Sequence, residues 1–420
     1  MANDFSIAEE RFFEGVHEFF ESEPSVVQKT NLYTEDGTRA ARGNYTFWRP
    51  QQQISRVVTG LDISGSYADV TELMYPATIT TADIKNVPFT LDAVELNDEF
   101  RLKQKTRSVA GALLGSLDTA VADTVAKEGS LCVRVVGDAD TYLKLAEAEA
   151  VIGEAGIPLS TDRCMALGHR NWYKVAGDLA GSNGQFSPRT GDAAYTGSSV
   201  PPIAGFDTFR AQYLPTLTAQ AQAITVTGGG QKHVPVSNNA TSDLLQDNRR
   251  MTLTVSSTTG ILAGAAFTLA SVNRLEAIRK TDTGQLQTFR VVSITDATNM
   301  VITPAIIVDG GGTDAEDTYA NCSASPAGAS AVTFLNDDAN TVPVPFWCKD
   351  ALEIIHAPLN TSGLEGSVAV MNSTTEKGLS LYMFRQGAID DLSAKYRFSI
   401  WAKGTLNCPE AAGVVLDGQS

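Results

Sequence analysis

The chain has 420 residues, enough for about two to four domains, and its 43% hydrophobic and 19% charged residues exclude a disordered or collagen-like protein. The formal net charge of −16 argues against a broad basic face that grips nucleic acid. Because the first residues lack the order of a secretory signal and no apolar run approaches the roughly 18 residues that span a bilayer, we expect a soluble, cytosolic protein without a membrane partner.

The N-terminal segment predicts a short amphipathic helix that ends before Pro24. Its apolar residues repeat at helical spacing, and its glutamates share the opposite side of the helical wheel. The apolar face consists of Phe12, Val16, Phe19 and Phe20. The acidic face consists of Glu10, Glu14, Glu18 and Glu21.

Residues 43–90 show strand and turn signals instead of a helical pattern. Two strand-like runs, 45–48 and 70–75, are each expected to stop at a proline. The polar middle of the segment, residues 51–66, is too poor in apolar residues to form a core of its own. The segment therefore predicts a long excursion that resembles a β-hairpin.

The longest helical pattern follows, from Asn97 or Asp98 to Glu128, with Gly129 as the residue after the helix. About 30 residues at 1.5 Å each predict a rod of ~45 Å, nearly three times the average helix length. A helix from about residue 140 to 153, a strand over 164–167 and a helix over 171–179 come next. This alternation predicts an α+β domain.

Beyond Pro215 the pattern changes to short alternating strands separated by turns, with almost no helix. Such a series predicts an antiparallel β-barrel or sandwich, inserted over residues 223–341. The strands are expected at 224–227, 251–255, 266–270, 288–292 and 300–303. The mixed pattern then returns, and residues 395–402 predict a strong late strand.

Motifs for catalysis or metal binding are missing from the sequence. The four histidines are dispersed, and no H-E-x-x-H, G-x-S-x-G or Walker pattern is present. Residues 228–232 lack the spacing of a phosphate loop and predict a hairpin turn, while the acidic residues 309–317 predict a solvated loop rather than a calcium site. Five widely spaced cysteines without a C-x-x-C pair predict reduced, partly buried thiols. We expect no cofactor and no enzyme activity.

The order of these elements, together with several short stretches, resembles the major coat proteins of short-tailed double-stranded-DNA bacteriophages of the P22 type. The most specific stretches are 203–207, 247–249 through 257–260, 289–292, 317–321, 345–350 and 409–413. The resemblance implies an α+β fold, the Hong Kong 97 phage capsid fold, with an inserted antiparallel β-barrel domain. It implies an N-terminal arm (1–42), an extended loop (43–90), a peripheral domain with a spine helix (91–150), an axial domain (151–222), the insertion barrel (223–341), an axial return (342–394) and a peripheral strand with the C-terminus (395–420).

The resemblance also implies a function. The chain is expected to be a major capsid protein that assembles into an icosahedral procapsid and a mature shell around double-stranded DNA. The implied partners are copies of itself in pentameric and hexameric capsomers, a scaffolding protein and a portal protein, with the DNA enclosed but not specifically bound. Assembly is expected in the host bacterial cytoplasm, and the product is the virion. The acidic charge fits a shell that does not adhere to its DNA.

Two other classes of protein stay open on the residues alone. A secreted or surface β-sandwich adhesin fits the barrel segment, but the missing export signal and the unpaired cysteines count against it. A hydrolase with an inserted lid is disfavoured because no nucleophile motif is present.

Three sets of residues are candidates for assembly. Glu10, Glu14, Glu18 and Glu21 form either a docking site for a basic scaffolding partner or a merely solvated face. By resemblance, residues 236–248 match the loop that contacts an adjacent capsomer, with Asp243, Asp247 and Arg249 as its candidate charges. Gly111 and Gly115, which cost ~1 kcal/mol each inside the long helix, predict either helix bending or close packing of another backbone.

Overall fold

The fold is described from a computed structural model, and the described residues are 5–34, 44–52, 54, 60–61, 72–92, 95–139, 141–156, 162–181, 194, 197–238, 244–310, 312–361, 368–388 and 393–419. The chain divides into two compact units, each built from three separate stretches. The first unit comprises Met1–Phe47, Ala77–Val121 and Glu353–Thr405. The second comprises Trp48–Pro76, Ala122–Leu352 and Leu406–Ser420. The shell roles assigned to the seven predicted segments remain predictions.

The α-helices in the described part of the chain are α1 (Ile7–Ser22), α2 (Glu99–Glu128), α3 (Tyr142–Ala155), α4 (His169–Gly181) and α5 (Asp314–Tyr319). Helix α2 begins where Asp98 accepts the backbone N–H groups of Phe100 and Arg101 at 3.0 and 3.4 Å. The three helices predicted after residue 90 are confirmed to within two residues at each end.

Helix α2 also corrects an expectation about membranes. Among the described residues it is the one helix long and apolar enough to cross a bilayer by length and composition. Because 61% of its most apolar stretch is buried inside the protein, it is placed as a core helix.

Nineteen strands are described. They are β1 (Asn31–Thr34), β2 (Asn44–Pro50), β3 (Met74–Thr80), β4 (Ile84–Asp92), β5 (Leu131–Val136), β6 (Arg163–Leu167), β7 (Phe206–Arg210), β8 (Ile224–Thr225), β9 (Met251–Thr254), β10 (Ala266–Leu275), β11 (Asp282–Ile294), β12 (Asn299–Thr303), β13 (Ala331–Phe334), β14 (Val344–Cys348), β15 (Leu352–His356), β16 (Ala369–Thr374), β17 (Ser380–Ala388), β18 (Ser393–Leu406) and β19 (Ala412–Gln419). Strands β2 and β3 pair with each other, as the predicted excursion requires. The expectation that Pro76 ends the second strand is wrong, because β3 continues through it to Thr80.

The first unit is organised around a six-stranded sheet of order β1-β15-β18-β17-β16, with β4 also paired to β18. Helix α1 covers this sheet with its apolar face. Phe12 packs edge-on against Phe89 and Phe398, with ring centroids 5.7 Å apart in both cases. Phe89 stacks on Tyr396 at 5.3 Å. These aromatic pairs hold the N-terminal helix on the sheet, and they contribute free energy beyond that of the apolar area they bury.

A buried carboxyl group lies in the same unit. Asp118 of α2 is 3% exposed and accepts the backbone N–H of Val27 at 3.1 Å. Burial raises the pKa of Asp118 to about 7, against the opposing effect of backbone hydrogen bonds from Val27 and Val26. The segment after α1 is therefore held to α2 by an acid that is only partly ionised at neutral pH.

The second unit contains a five-stranded sheet of order β5-β19-β14-β6-β7. Strands β14 and β19 belong to this sheet. Strands β15 to β18, which lie between them in sequence, belong to the sheet of the first unit. The boundary predicted between residues 394 and 395 therefore does not separate the two sheets. Alternating apolar residues reveal a strand, but they do not say which sheet receives it.

The inserted segment forms a six-stranded antiparallel sheet of order β8-β13-β10-β11-β12-β9. Val226 and Val255 pair beyond the ends of β8 and β9, which closes the sheet into a barrel. The barrel has its own core, in which Phe267, Phe289 and Ile302 are fully buried. The sequence missed β13. Leu217 and Thr341, which lie close in sequence to the predicted bounds of the insertion, exchange backbone hydrogen bonds of 2.8 and 3.0 Å.

We expect Gly129→Ala to lower the free energy of unfolding by about 1–3 kcal/mol, because a Cβ there would overpack the end of α2. It would lie 2.7 Å from the carbonyl oxygen of Val125 and 3.0 Å from the carbonyl carbon of Ala412. Gly153→Ala in α3 is the matched control, since its Cβ meets nothing within 4 Å. That change should raise stability by about 0.5–1 kcal/mol. Urea denaturation followed by circular dichroism measures both, and equal effects would contradict the close approach at Gly129.

We expect Asp118→Asn to stabilise the protein above neutral pH. An acid whose folded pKa is about 7, against an ordinary value of 3.8, costs stability progressively as pH rises from about 4 to 7 and a constant amount above that. At 1.36 kcal/mol for each pKa unit, the cost at pH 8 is about 4 kcal/mol. Urea unfolding from pH 4 to 8 should show that the difference in the free energy of unfolding between the two proteins grows up to pH 7 and is constant above it. Asp123→Asn on the same helix is the control, and a gap that does not vary with pH would refute the assignment.

Candidate assembly surfaces

Helix α1 begins with a capping box, in which Ser6 Oγ accepts the N–H of Glu9 at 3.4 Å and Glu9 Oε2 accepts the N–H of Ser6 at 2.7 Å. Its buried apolar face consists of Phe12, Phe13, Val16 and Phe20. The prediction is confirmed except that Phe13 replaces Phe19, which is half-buried. The cap and the aromatic face together set which side of α1 is left outside.

The acidic face of α1 is not uniform. Glu10, Glu14 and Glu18 are exposed. Glu21 is half-buried, accepts the backbone N–H of Glu376 at 2.7 Å and lies 3.6 Å from His17 Nε2. Of the four predicted residues, three are therefore available to a partner and the fourth holds the helix to its own unit.

Sequence reasoning missed a fifth glutamate. Glu9 is 2% exposed, lies 2.9 Å from Arg385 Nε and accepts a short hydrogen bond from the Tyr396 hydroxyl. Burial, helped by Glu9, raises the pKa of Tyr396. The Ser-x-x-Glu spacing of Ser6 and Glu9 was the available signal, since an N3 glutamate in a capping box is turned back toward the helix start.

The intercapsomer loop, residues 236–248, stands on an ordered stem. The Asn248 side chain donates to the carbonyl of Val236 at 2.9 Å and accepts its N–H at 3.1 Å, which mimics a backbone pair. His233 Nε2 lies 2.9 Å from the same Asn248 oxygen. Asn238 and Leu245 form the next bridge. Asp243 lies outside the described residues.

The other two loop charges turn inward. Arg249 is 5% exposed and binds the Asp247 carboxylate through Nε at 2.9 Å and Nη2 at 3.0 Å. Although burial works to raise the pKa of Asp247, its bonds and charge contact with Arg249, and the charge of Arg250, hold it below its ordinary value. Asp247 and Arg249 therefore bind each other within the chain, and their contact with an adjacent capsomer stays a prediction. The guanidinium also donates to the backbone carbonyls of Pro76 and Leu406.

The predicted glycines of α2 lie within one continuous helix, with Gly111 half-buried and Gly115 buried. A close approach between helices is found elsewhere, because a Cβ on Gly15 of α1 would lie 3.2 Å from Cγ2 of Thr106. Bending or packing at Gly111 and Gly115 stays a prediction.

The residues weighed for other chemistry have structural roles. Gly228 and Gly230 have the positive φ angles of a turn. Lys232 Nζ lies 2.7 Å from the carboxylate of Glu316, a buried residue of α5 within the acidic segment 309–317. All five cysteines are among the described residues, where they are buried and form no disulfide.

A family model described as P22 coat protein, gene protein 5, matches residues 1–418. Among solved structures, the chain is similar to the capsid of the cyanophage P-SCSP1u, at 12% identity over 95% of this chain and 89% of that chain, with a TM-score of 0.44. It is similar to the CUS-3 coat protein I-domain, at 36% identity over 28% of this chain and 100% of that chain, with a TM-score of 0.24. It is also similar to a virus-like particle from Pyrococcus furiosus, at 9% identity over 98% and 100% of the two chains, with a TM-score of 0.42.

The family match favours the capsid interpretation over the adhesin and the hydrolase, because it covers nearly the whole chain and not the barrel alone. Since it runs from residue 1 to residue 418, the chain belongs to the P22 coat protein family and is a major capsid protein of the α+β, Hong Kong 97-like fold.

Proposed function

We propose that this capsid protein builds its shell from pentameric and hexameric capsomers in the host cytoplasm, aided by a scaffolding protein and a portal protein, without a catalytic step. The family match over residues 1–418 carries the proposal. Within it, the extended loop (43–90) reaches over a neighbouring subunit and residues 151–222 meet their copies at capsomer centres. The shell encloses double-stranded DNA without binding it specifically, in line with the net charge of −16.

The scaffolding protein docks on the exposed acidic face of α1. Glu10, Glu14 and Glu18 point away from the aromatic core that anchors the helix, so a partner can bind them without disturbing the fold. Exposed ion pairs contribute only about 0.2–1 kcal/mol each, and salt screens them over a Debye length of about 8 Å at 0.15 M. Contacts of this strength are reversible.

We expect Glu10→Lys, Glu14→Lys and Glu18→Lys together to abolish assembly that depends on scaffolding protein while leaving the monomer folded, because all three side chains are exposed. Sedimentation of the mixed proteins measures shell formation, and circular dichroism checks the fold. The matched control is Glu147→Lys with Glu154→Lys, two exposed glutamates on α3. Normal shells from the triple variant would refute the docking site.

The barrel holds parts of the subunit together, and its intercapsomer loop, residues 236–248, contacts an adjacent capsomer. Arg290 of the barrel is fully buried and donates to the carbonyls of Gly129 at 3.0 Å and Gly264 at 2.9 Å. Ala266 packs in a shared cluster with Ala126, Cys132, Leu217, Val414 and Leu416. The outer face of the barrel thus covers apolar residues of the rest of the second unit.

We expect an isolated chain of residues 223–341 to unfold cooperatively, because the barrel has its own core. A subunit that lacks these residues should aggregate or assemble aberrantly, since the deletion uncovers Val414 and Leu416. Dye binding and electron microscopy measure the two outcomes. Removal of residues 239–243 alone is the matched control, which should keep a soluble monomer but impair shells. Normal shells without the barrel would contradict this role of the barrel.

A further inference from the structure

Three consecutive residues at the base of the intercapsomer loop bind three different parts of the second unit. Asn248 binds the opposite side of the loop stem at Val236. Arg250 binds Glu128, the last residue of α2, at 2.8 Å. Arg249, between them, reaches the root of the extended loop. The direction of the chain changes here from the loop into β9, so each of these contacts constrains where the loop points.

The contacts of Arg249 join two loops that are far apart in sequence. Its guanidinium lies 4.7 Å from the ring centre of Tyr75 and donates to the carbonyl of Pro76 at 3.3 Å. It also donates to the carbonyl of Leu406. Tyr75 and Pro76 lie in β3, the returning strand of the extended loop. Asp247, which binds the guanidinium through both carboxylate oxygens, lies near the end of the intercapsomer loop. One side chain thus contacts both loops.

Packing supplies a second link at the same place. Leu73 is 1% exposed and lies in a cluster with Ala305, Ile307 and Tyr319 of the barrel. Beside this cluster is a cavity of about 50 Å³ that is also lined by Arg249 and Gln51. Gln51 Oε1 is buried and has no hydrogen-bond partner within the described part of the chain. The cavity leaves the root of the extended loop incompletely packed here, so packing alone does not fix its position. The contacts of the Arg249 guanidinium therefore help to hold it.

We propose that Arg249 is a positioning residue that orders the extended loop and the intercapsomer loop together. Binding of a neighbouring subunit by the extended loop then fixes the loop that meets an adjacent capsomer, and the reverse holds because coupling between two sites is reciprocal. The consequence for assembly rests on the proposed contact roles of the two loops. The coupling itself belongs to the single chain.

Amide hydrogen exchange on the full-length, unassembled protein tests the coupling. The variant is Arg249→Met combined with Asp247→Asn, which keeps an apolar contact on Tyr75 and leaves no buried carboxylate unpaired. We expect exchange to rise about tenfold or more at residues 72–76 and 244–248 together, while the barrel core at 300–303 is unchanged. Arg279→Met, an exposed arginine of the same barrel, is the matched control and should change neither loop.

A rise confined to residues 244–248 would overturn the proposal, and so would an equal rise throughout the barrel core. The reciprocal variant, Leu73→Ala, must also raise exchange at residues 244–248, and an effect limited to 72–76 would equally overturn it. Because no shell is needed, these results are separate from the assembly role. If the coupling is present but removal of residues 239–243 leaves shells normal, the proposed contact of that loop fails while the inference stands.

Discussion

Buried backbone carbonyl groups at the junctions between chain segments impose the constraint on which the second unit depends. A carbonyl that loses water and finds no donor costs free energy comparable to a lost hydrogen bond. The chain meets this cost with cationic side chains. Arg290 reaches the carbonyl of Gly129 at the end of α2, where the helix dipole also favours a positive charge. Lys280 donates to the carbonyl of Ala320 at 3.0 Å, and Arg249 donates to Pro76 and Leu406.

This use of cations bears on the distribution of charge. The sequence has 32 lysines and arginines against 48 aspartates and glutamates. Some of those cations are consumed inside, where Arg249 and Arg290 are almost or fully buried. Exposed acids such as Glu10 and Glu147 are left outside. Among the described residues the buried arginines are matched by the buried acids Glu9, Asp118 and Glu316, so the surface keeps the acidic excess of the sequence. That excess suits a shell that encloses DNA without adhering to it.

The sequence predicted the helices and most barrel strands, but it missed other strands, among them β5, β14 and β19, and it did not predict how the strands pair. The long helix and the barrel strands followed from periodicity and turns, because those signals are local. The placement of β14 to β19 in two different sheets did not follow, because pairing is decided by the fold as a whole. The acidic face of α1 was found, yet the burial of Glu9 was not. Arg249 was a candidate for the intercapsomer contact by resemblance alone. Its burial did not follow from the sequence, because its carbonyl acceptors at Pro76 and Leu406 are distant in sequence.

Two kinds of interaction in this protein respond differently to salt, and that difference separates folding from assembly. Arg290 links segments of the second unit through hydrogen bonds from a buried cation to neutral carbonyls, which mobile ions do not reach and screen little. The proposed contact at Glu10, Glu14 and Glu18 is exposed, and its free energy falls as salt shortens the Debye length. A subunit built in this way keeps its shape while its contacts with a partner are made and broken. Errors in a growing shell can then be corrected by dissociation, without unfolding the pieces.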